Sequence, residues 1–439
     1  INNRMKLYTE VLSRFNYYAF LALIISLFLP LNFVHTCWLI WGISWLLEGR
    51  WLHRENIRWN TITKFIVFGF GVWFLWNCIS IIWAINKEDA LTTIIRDISL
   101  ISIIPIALFG VNNHYNIRQC LRTLIISSIV SIGMYMFTYY WIHNIPLAQE
   151  KLSTDITTID WTNVGNFLMN IKHRMHYTNL LCMSIVSSII LCTSLRSKAL
   201  YSLSAPSLLT WLKIGGAIGI ALWGVYLSGS RAAVLNLLII GGISIYWFFI
   251  RNFSRRIQTI GIAIICILFI GGALIGMLVH PRHTDIPISE WTKVDTSQTD
   301  PAFEPRFAIW SVATQTPTDY IAYGLGTGNA TQYMVSQYKE LGWTKYIYHQ
   351  YSPHNQFITI CIELGLAAAI LFACYWAFMP FIFKDERRYW MLCVVGICWI
   401  DMITDSLLCG LEGIVFFITM FIIGTLFIRE TPFPDQHAA

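Results

Sequence analysis

The strongest constraint on this chain is a succession of apolar runs near twenty residues long, punctuated by short segments rich in Lys and Arg. A run of that length spans a hydrocarbon core of about 30 Å as an α-helix. The runs lie near 13–31, 33–48, 64–85, 90–111, 120–142, 175–195, 211–229, 231–250, 257–279, 356–383, 389–408 and 412–428. They predict an all-α polytopic membrane protein of about twelve transmembrane helices. With only 12% charged residues and a mean hydropathy of +0.57, a soluble globule is excluded. Nineteen Trp and twenty Tyr suit a protein anchored at two membrane interfaces. No soluble composition appears at either end, so residues 1–439 are expected to form a single integral membrane domain.

The positive charges give the orientation. Short loops on one side carry Arg50, Arg54, Arg58 and Lys64, then Arg118 and Arg122, then Arg251, Arg255 and Arg256, then Lys384, Arg387 and Arg388. Basic residues concentrate in cytoplasmic loops, which places both ends inside and the two long polar loops, 143–174 and 280–355, outside. The second loop is inserted between the ninth and tenth spans and is expected to hold helices. A net charge of +6 distributed in this way is a topology signal and does not point to nucleic acid. The first apolar run lacks a small-residue cleavage site and the next follows closely, so no cleavable signal is expected. None of the eleven Cys falls in either long loop and no Cys-x-x-Cys spacing occurs. That leaves neither a disulfide framework nor a cysteine metal site. Gly215-Gly216, Gly241-Gly242 and Gly271-Gly272 suit close helix contact.

Several polar residues sit where apolar chemistry does not need them. Arg231 follows Ser228-Gly229-Ser230 between two apolar runs with almost no loop, at the outer membrane surface. It is either a snorkelling anchor or a functional cation, since an ionisable group at that depth is a candidate by default. Arg306 follows Glu304-Pro305 and opens an amphipathic helical pattern, Phe307, Ile309, Trp310, Val312 and Ala313. A cation in a first helical turn opposes the helix dipole, which calls for an anion: a ligand, or else Glu304 or Asp300. His354 lies in Tyr351-Ser352-Pro353-His354-Asn355, where the loop returns to the membrane. An imidazole there can take a proton from a hydroxyl or hydrogen-bond a phosphate, while Asn355 can cap the following helix. Glu363 falls inside that next span, where it either pairs with another intramembrane group such as Arg96 or faces a wet cavity. The run Tyr323-Gly-Leu-Gly-Thr-Gly-Asn329 lacks the lysine and the strand-to-helix setting of a phosphate loop. It reads as a turn-rich entry to a helix at 330–340. Arg174 and His176, at the outer start of the sixth span, either reach the same cavity or serve as interface residues. Asp401, Asp405 and Glu412 could bind an acceptor or pair with arginines.

Two arginines and a histidine on one membrane face suit a lipid-linked diphosphate, because guanidinium groups bind phosphate oxygens bidentately. They could stabilise a departing diphosphate electrostatically. The Asp-x-Asp pattern typical of cation-dependent sugar transferases is absent, so neither metal nor other cofactor is expected.

Three segments in order, Ser228-Gly-Ser-Arg-Ala-Ala233, Arg306-Phe-Ala-Ile-Trp310 with Gly324-Leu-Gly-Thr-Gly-Asn329, and Pro353-His-Asn-Gln-Phe357 with Glu363-Leu-Gly365, resemble the O-antigen ligase and O-antigen polymerase superfamily of bacterial envelope glycan enzymes. The resemblance covers most of the second half; the first 170 residues match only in hydropathy. It implies a membrane glycosyltransferase fold of the GT-C-like kind in the bacterial inner membrane, with its site facing the periplasm. The implied activity moves a glycan from undecaprenyl diphosphate to a sugar hydroxyl of lipid A–core, with inversion. By resemblance Arg231 and Arg306 hold the diphosphate and His354 activates or orients the hydroxyl. Arg174, His176 and Asn355 are candidates for substrate contact. The single large loop favours a ligase over a polymerase. A protein O-oligosaccharyltransferase often carries a further soluble region, and a transporter of lipid-linked anions would show inverted repeats, which are not evident here.

Overall fold

In a computed structural model, residues 2–144, 174–201, 208–228, 230–279 and 305–427 are described. Loop 143–174 therefore lies almost wholly outside the described residues, as do residues 280–304 of the second loop, including Asp300 and Glu304. Every regular element among the described residues is helical, as the apolar periodicity requires. In chain order the first helices are α1 (Asn2–Ser26), α2 (Leu31–Leu47), α3 (Thr61–Ser80), α4 (Lys87–Ile101), α5 (Ile103–Phe109) and α6 (Ile117–Asn144). Then come α7 (Arg174–Tyr201), α8 (Leu208–Ser228), α9 (Arg231–Ile245) and α10 (Arg255–Val279). The long loop contributes α11 (Pro305–Ala313), α12 (Ala330–Glu340) and α13 (Thr344–His349). The chain closes with α14 (Gln356–Leu364), α15 (Leu366–Phe378), α16 (Asp385–Thr404) and α17 (Leu411–Leu426).

Six of the described segments are long and apolar enough to cross a membrane: Thr61–Trp83, Lys87–Phe109, Ile117–Thr138, His176–Thr193, Trp211–Ser228 and Ala232–Ile250. Leu366–Ile382 and Leu411–Leu426 are apolar but shorter. The other expected spans still coincide with helices, but α1 begins with Arg4, Lys6, Glu10 and Arg14, and α2 is only 17 residues long. Two expected spans are interrupted. The run 90–111 is divided at Ser102 into α4 and α5, because Pro105 has no N–H to continue the ladder. The run 356–383 is divided at Gly365, whose backbone (φ 89°, ψ 167°) ends α14. The Leu366 N–H then bonds Ile321 O at 2.9 Å, outside the helix. Hydropathy cannot see either break, since both sides stay apolar.

The chain forms two compact units. The first comprises Ile1–Asn56, Val111–Phe269 and Thr419–Ala439. A buried aromatic and amide cluster ties its first helices to the segment before α6: Asn16 Nδ2 donates to Ser44 Oγ at 2.8 Å, and Tyr115 OH donates to Asn16 Oδ1 at 2.7 Å. Trp41 Nε1 donates to the same Tyr115 hydroxyl at 2.8 Å. Polar groups buried in this way keep their place only when paired. The second unit comprises Ile57–Gly110 and Ile270–Ile418. Its core joins α3, α15 and α17 through Phe70, Trp376 and Phe417, with Trp376 and Phe417 rings 4.6 Å apart.

Within the second unit the described part of the long loop builds a small core of its own. Ala308, Ile309, Val312 and Ala313 of α11 pack with Tyr333, Met334 and Tyr338 of α12, Tyr346 of α13 and Ile362 of α14. Trp343 is fully buried between Tyr338 and Tyr346, ring centroids 6.0 and 5.0 Å away. Such aromatic pairs contribute about 0.5–1.5 kcal/mol each beyond the area they bury. Burial also pushes the Tyr320 hydroxyl up to about 12, so it stays neutral and donates to Ala313 O. The amphipathic helix expected from Arg306 and the helix expected at 330–340 are both present, and they are two walls of this core.

Candidate active site

The turn at Pro353-His354-Asn355 is built by α14. The Asn355 side chain accepts from the N–H groups of Phe357 and Ile358, both at 3.0 Å, so it is the helix cap. Its amide also donates to Ile403 O at 3.0 Å. Immediately before the cap, His354 takes the left-handed backbone region at φ 46°, which a residue with a β-carbon enters only when its surroundings compel it. Those surroundings are the segment that links α16 to α17. Gln356 Oε1 accepts from Leu408 N at 3.0 Å, and the Thr359 and Ser406 hydroxyls meet at 3.2 Å.

The same seam brings the His354 ring to a carboxylate: Nδ1 lies 3.1 Å from Asp405 Oδ1. The two side chains keep 32% and 20% of their exposure, so the pair is open to a ligand. Asp405 Oδ1 also accepts from Ser406 N at 2.8 Å, which fixes the carboxylate. A carboxylate on Nδ1 holds the proton there and leaves Nε2, on the opposite edge of the ring, as the basic nitrogen. Asp405 was one of three acidic residues that the sequence offered without a means of choice. The structure assigns it to His354 because the α16–α17 link runs beside the α14 cap.

Arg306 stands in the first turn of α11, partly exposed. Trp310 follows it by four residues and so shares its helix face. The Trp310 indole donates to Pro353 O at 3.0 Å, the carbonyl next to His354. Tyr351 adds an aromatic wall, its ring 6.0 Å from the imidazole. Trp310, Pro353, His354 and Asp405 are thus linked within one unit, and α11, which carries Arg306, is tied through Trp310 to the turn that holds His354.

The glycine-rich run Tyr323–Asn329 is a clasp. Asn329 Oδ1 accepts from Asn86 N at 2.8 Å, and Thr327 bonds Ser80 Oγ (from its N–H, 3.0 Å) and Asn77 Oδ1 (from its hydroxyl, 2.6 Å). At Gly326 (φ +89°) an added Cβ would meet Ala84 Cα at 2.4 Å, so only glycine lets the backbones lie this close. The expectation of a turn entering a helix holds, and α12 begins at once at Ala330. What sequence could not show is the surface on which the turn is seated.

Arg231, Arg174 and His176 belong to the first unit. Arg231 is the first residue of α9, with Ser230 as its cap, accepting from Ala233 N at 3.3 Å. The connection from α8 is two residues long, as the sequence suggested. Arg174 and His176 open α7. A buried amide pair, Asn236 Nδ2 to Asn179 Oδ1 at 3.0 Å, joins α7 to α9 one turn beyond them. In the second unit, Arg96 is held in place: it donates to Cys409 O at 3.0 Å and pairs with Asp97 at 3.4 Å. Among the described residues no group of three or more His, Cys, Asp or Glu is spaced to hold a metal ion.

An imidazole paired with a carboxylate, in a turn tied to the helix that carries Arg306, suits a hydroxyl nucleophile and a phosphate-bearing leaving group. Residues 216–373 match the family model described as O-antigen ligase, a stretch that contains Arg231, Arg306, His354 and Glu363 and stops short of Asp405. No curated protein matches the chain.

Proposed function

With residues 216–373 in the O-antigen ligase superfamily as the premise, we propose that this chain transfers a glycan from undecaprenyl diphosphate to a sugar hydroxyl of lipid A–core. The reaction takes place at the periplasmic face of the bacterial inner membrane. The contact between His354 and Asp405, with the Arg306 helix tied to Pro353, is the observation that carries this reading.

In the reaction the acceptor hydroxyl gives its proton to His354 Nε2 as its oxygen bonds to the donor's anomeric carbon. The bond from that carbon to the phosphate oxygen breaks, and the electron pair leaves with the diphosphate. Asp405 stabilises the imidazolium that forms, and Arg306 neutralises charge growing on the leaving group. By the family resemblance Arg231 is assigned to the diphosphate as well, and Arg174 and His176, at the start of α7, stand as candidates for substrate contact. Asn355 serves the reaction by holding the His354 turn. Attack opposite the leaving group inverts the anomeric centre. No step requires a metal ion.

Purified protein incubated with undecaprenyl-diphosphate glycan and lipid A–core tests the reading. Glycan-capped lipid A–core should form, the yield should survive a chelator, and Arg231→Ala, Arg306→Ala and His354→Ala should each lose it. Chain growth from a second lipid-linked unit without lipid A–core would make the enzyme a polymerase instead. Full activity in all three variants would overturn the catalytic assignment, and activity restored only by Mg²⁺ would overturn the metal-free step.

A further inference from the structure

The end of α13 and the chain from it to His354 carry aromatic rings that the proposed reaction leaves unused. Tyr348 is 84% exposed, and its ring meets that of His349 edge-on at 5.1 Å. The His349 ring, also exposed, lies 5.4 Å from that of Tyr351, tilted by 37°. Tyr351 in turn lies 6.0 Å from the His354 imidazole. Four rings therefore run from the exposed surface to the imidazole, each pair inside the range of about 4.5–7 Å at which rings interact.

The row is held from behind. Tyr351 packs edge-on against Tyr346, ring centroids 5.2 Å apart, and its N–H bonds Tyr346 O at 3.3 Å. Tyr346 itself is buried in the loop core. Gln350 and His354, on either side of Tyr351, both take the left-handed region, at φ 48° and 46°. Such turns are costly for residues with a β-carbon, and they collect where a ligand is gripped. The two reversals leave the Tyr351 ring between those of His349 and His354. Tyr348 and His349 serve no such packing. Among the described residues their ring partners are each other and Tyr351, and neither is buried.

A sugar ring is amphipathic: one face presents C–H groups whose hydrogens are slightly positive, while the hydroxyls point outward to water. An aromatic face is slightly negative, so the two stack, and Tyr offers its ring with only two rotatable bonds to order. We propose that Tyr348, His349 and Tyr351 form a binding platform for the acceptor oligosaccharide, seating the sugars that adjoin the one whose hydroxyl reaches His354. The proposal rests on the assignment of His354 as the base that takes the acceptor's proton. The row ends on that ring and begins in α13, not on α11 with Arg306, which assigns it to the acceptor and not to the lipid-linked donor. These rings meet sugars that do not react, so they bind ground state and transition state alike. Their loss therefore falls on the acceptor KM and not on kcat.

Transfer kinetics of the purified full-length protein with lipid A–core as acceptor test this. Tyr348→Ala and His349→Ala should each raise the acceptor KM about threefold, and the double variant about tenfold, with kcat and the donor KM held within about twofold. Tyr348→Trp, which keeps a ring, should stay near wild type. A wild-type acceptor KM in the double variant overturns the proposal, as does a rise in the donor KM or a loss confined to kcat. Saturation-transfer NMR with the core oligosaccharide freed of lipid A gives a readout independent of turnover. Its sugars should receive saturation from the wild-type protein and lose that signal with the double variant. No signal from wild type overturns the platform. Equal signal from both proteins also overturns it, and makes Tyr348 an aromatic anchor at the membrane interface. If wild-type protein transferred no glycan, the functional reading would fall and the NMR result would still decide whether the rings hold an oligosaccharide.

Discussion

Replacing Asp405 by Asn isolates the electrostatic part of the site with little change of shape. The amide oxygen can still accept from Ser406 N, now 2.8 Å from the carboxylate, so the turn after α16 should survive. What disappears is a negative charge whose oxygen lies 3.1 Å from His354 Nδ1. Once the ring has taken the acceptor's proton it is an imidazolium, and opposite charges about 4 Å apart attract by about 4 kcal/mol at an effective dielectric of about 20. Both side chains remain partly solvated, at 32% and 20% exposure, which screens part of this. A charge-assisted hydrogen bond contributes about 1.5–3 kcal/mol. At about 1.4 kcal/mol per factor of ten, kcat should fall about 10- to 150-fold. The KM for the lipid-linked donor should stay nearly constant, because Asp405 acts only as charge develops. The assay is the rate of glycan transfer at saturating donor and acceptor, with His354→Ala and the double variant alongside. Asp405→Asn at half the wild-type rate or more would refute the reasoning. So would a loss that is undiminished when His354 is already Ala, since Asp405 would then act through some other group.

Trp310→Phe removes the indole donor to Pro353 O and keeps the ring, so it should cost about 1 kcal/mol in kcat, read as a fall of several-fold with an unchanged melting temperature. Gly326→Ala forces a β-carbon onto Ala84 at a positive φ; strain of about 1–3 kcal/mol should lower the melting temperature by several degrees, and an unchanged melt would argue against the clasp. Asn355→Ala should destabilise the fold by about 1 kcal/mol through the lost cap and also slow transfer. Asn355→Asp keeps the cap but not the donor to Ile403 O, so it should restore the melting temperature without the full rate.

Much of this was legible before any coordinates. Hydropathy runs are cooperative signals: twenty apolar residues in a row have one low-energy solution in lipid, and the helices fall where the runs lie. The amphipathic period after Pro305 marked α11, and the Asn that precedes an apolar run marked the α14 cap, because both are interactions between residues a few positions apart. Gly365 was visible as a residue but not as a break, since the break depends on a segment more than forty residues upstream: Leu366 N bonds Ile321 O, and Ala322 O lies where a β-carbon on Gly365 would fall. The partner of His354 was equally hidden. Asp401, Asp405 and Glu412 looked alike as charges near one end of two apolar runs, and only the seam formed by Gln356, Thr359, Ser406 and Leu408 puts one carboxylate against the imidazole.

By itself, then, the amino-acid order determined the class of fold and where its helices lie, and it offered His354, Arg306 and Arg231 as candidates without their partners. Tertiary structure decided the pairings: His354 with Asp405, Trp310 with Pro353, and the main chain of Leu325 and Gly326 with the end of α14. Local periodicity is written in neighbouring residues and can be read from them. A hydrogen bond across fifty positions depends on where the chain returns, and that is set by the packing of the whole unit.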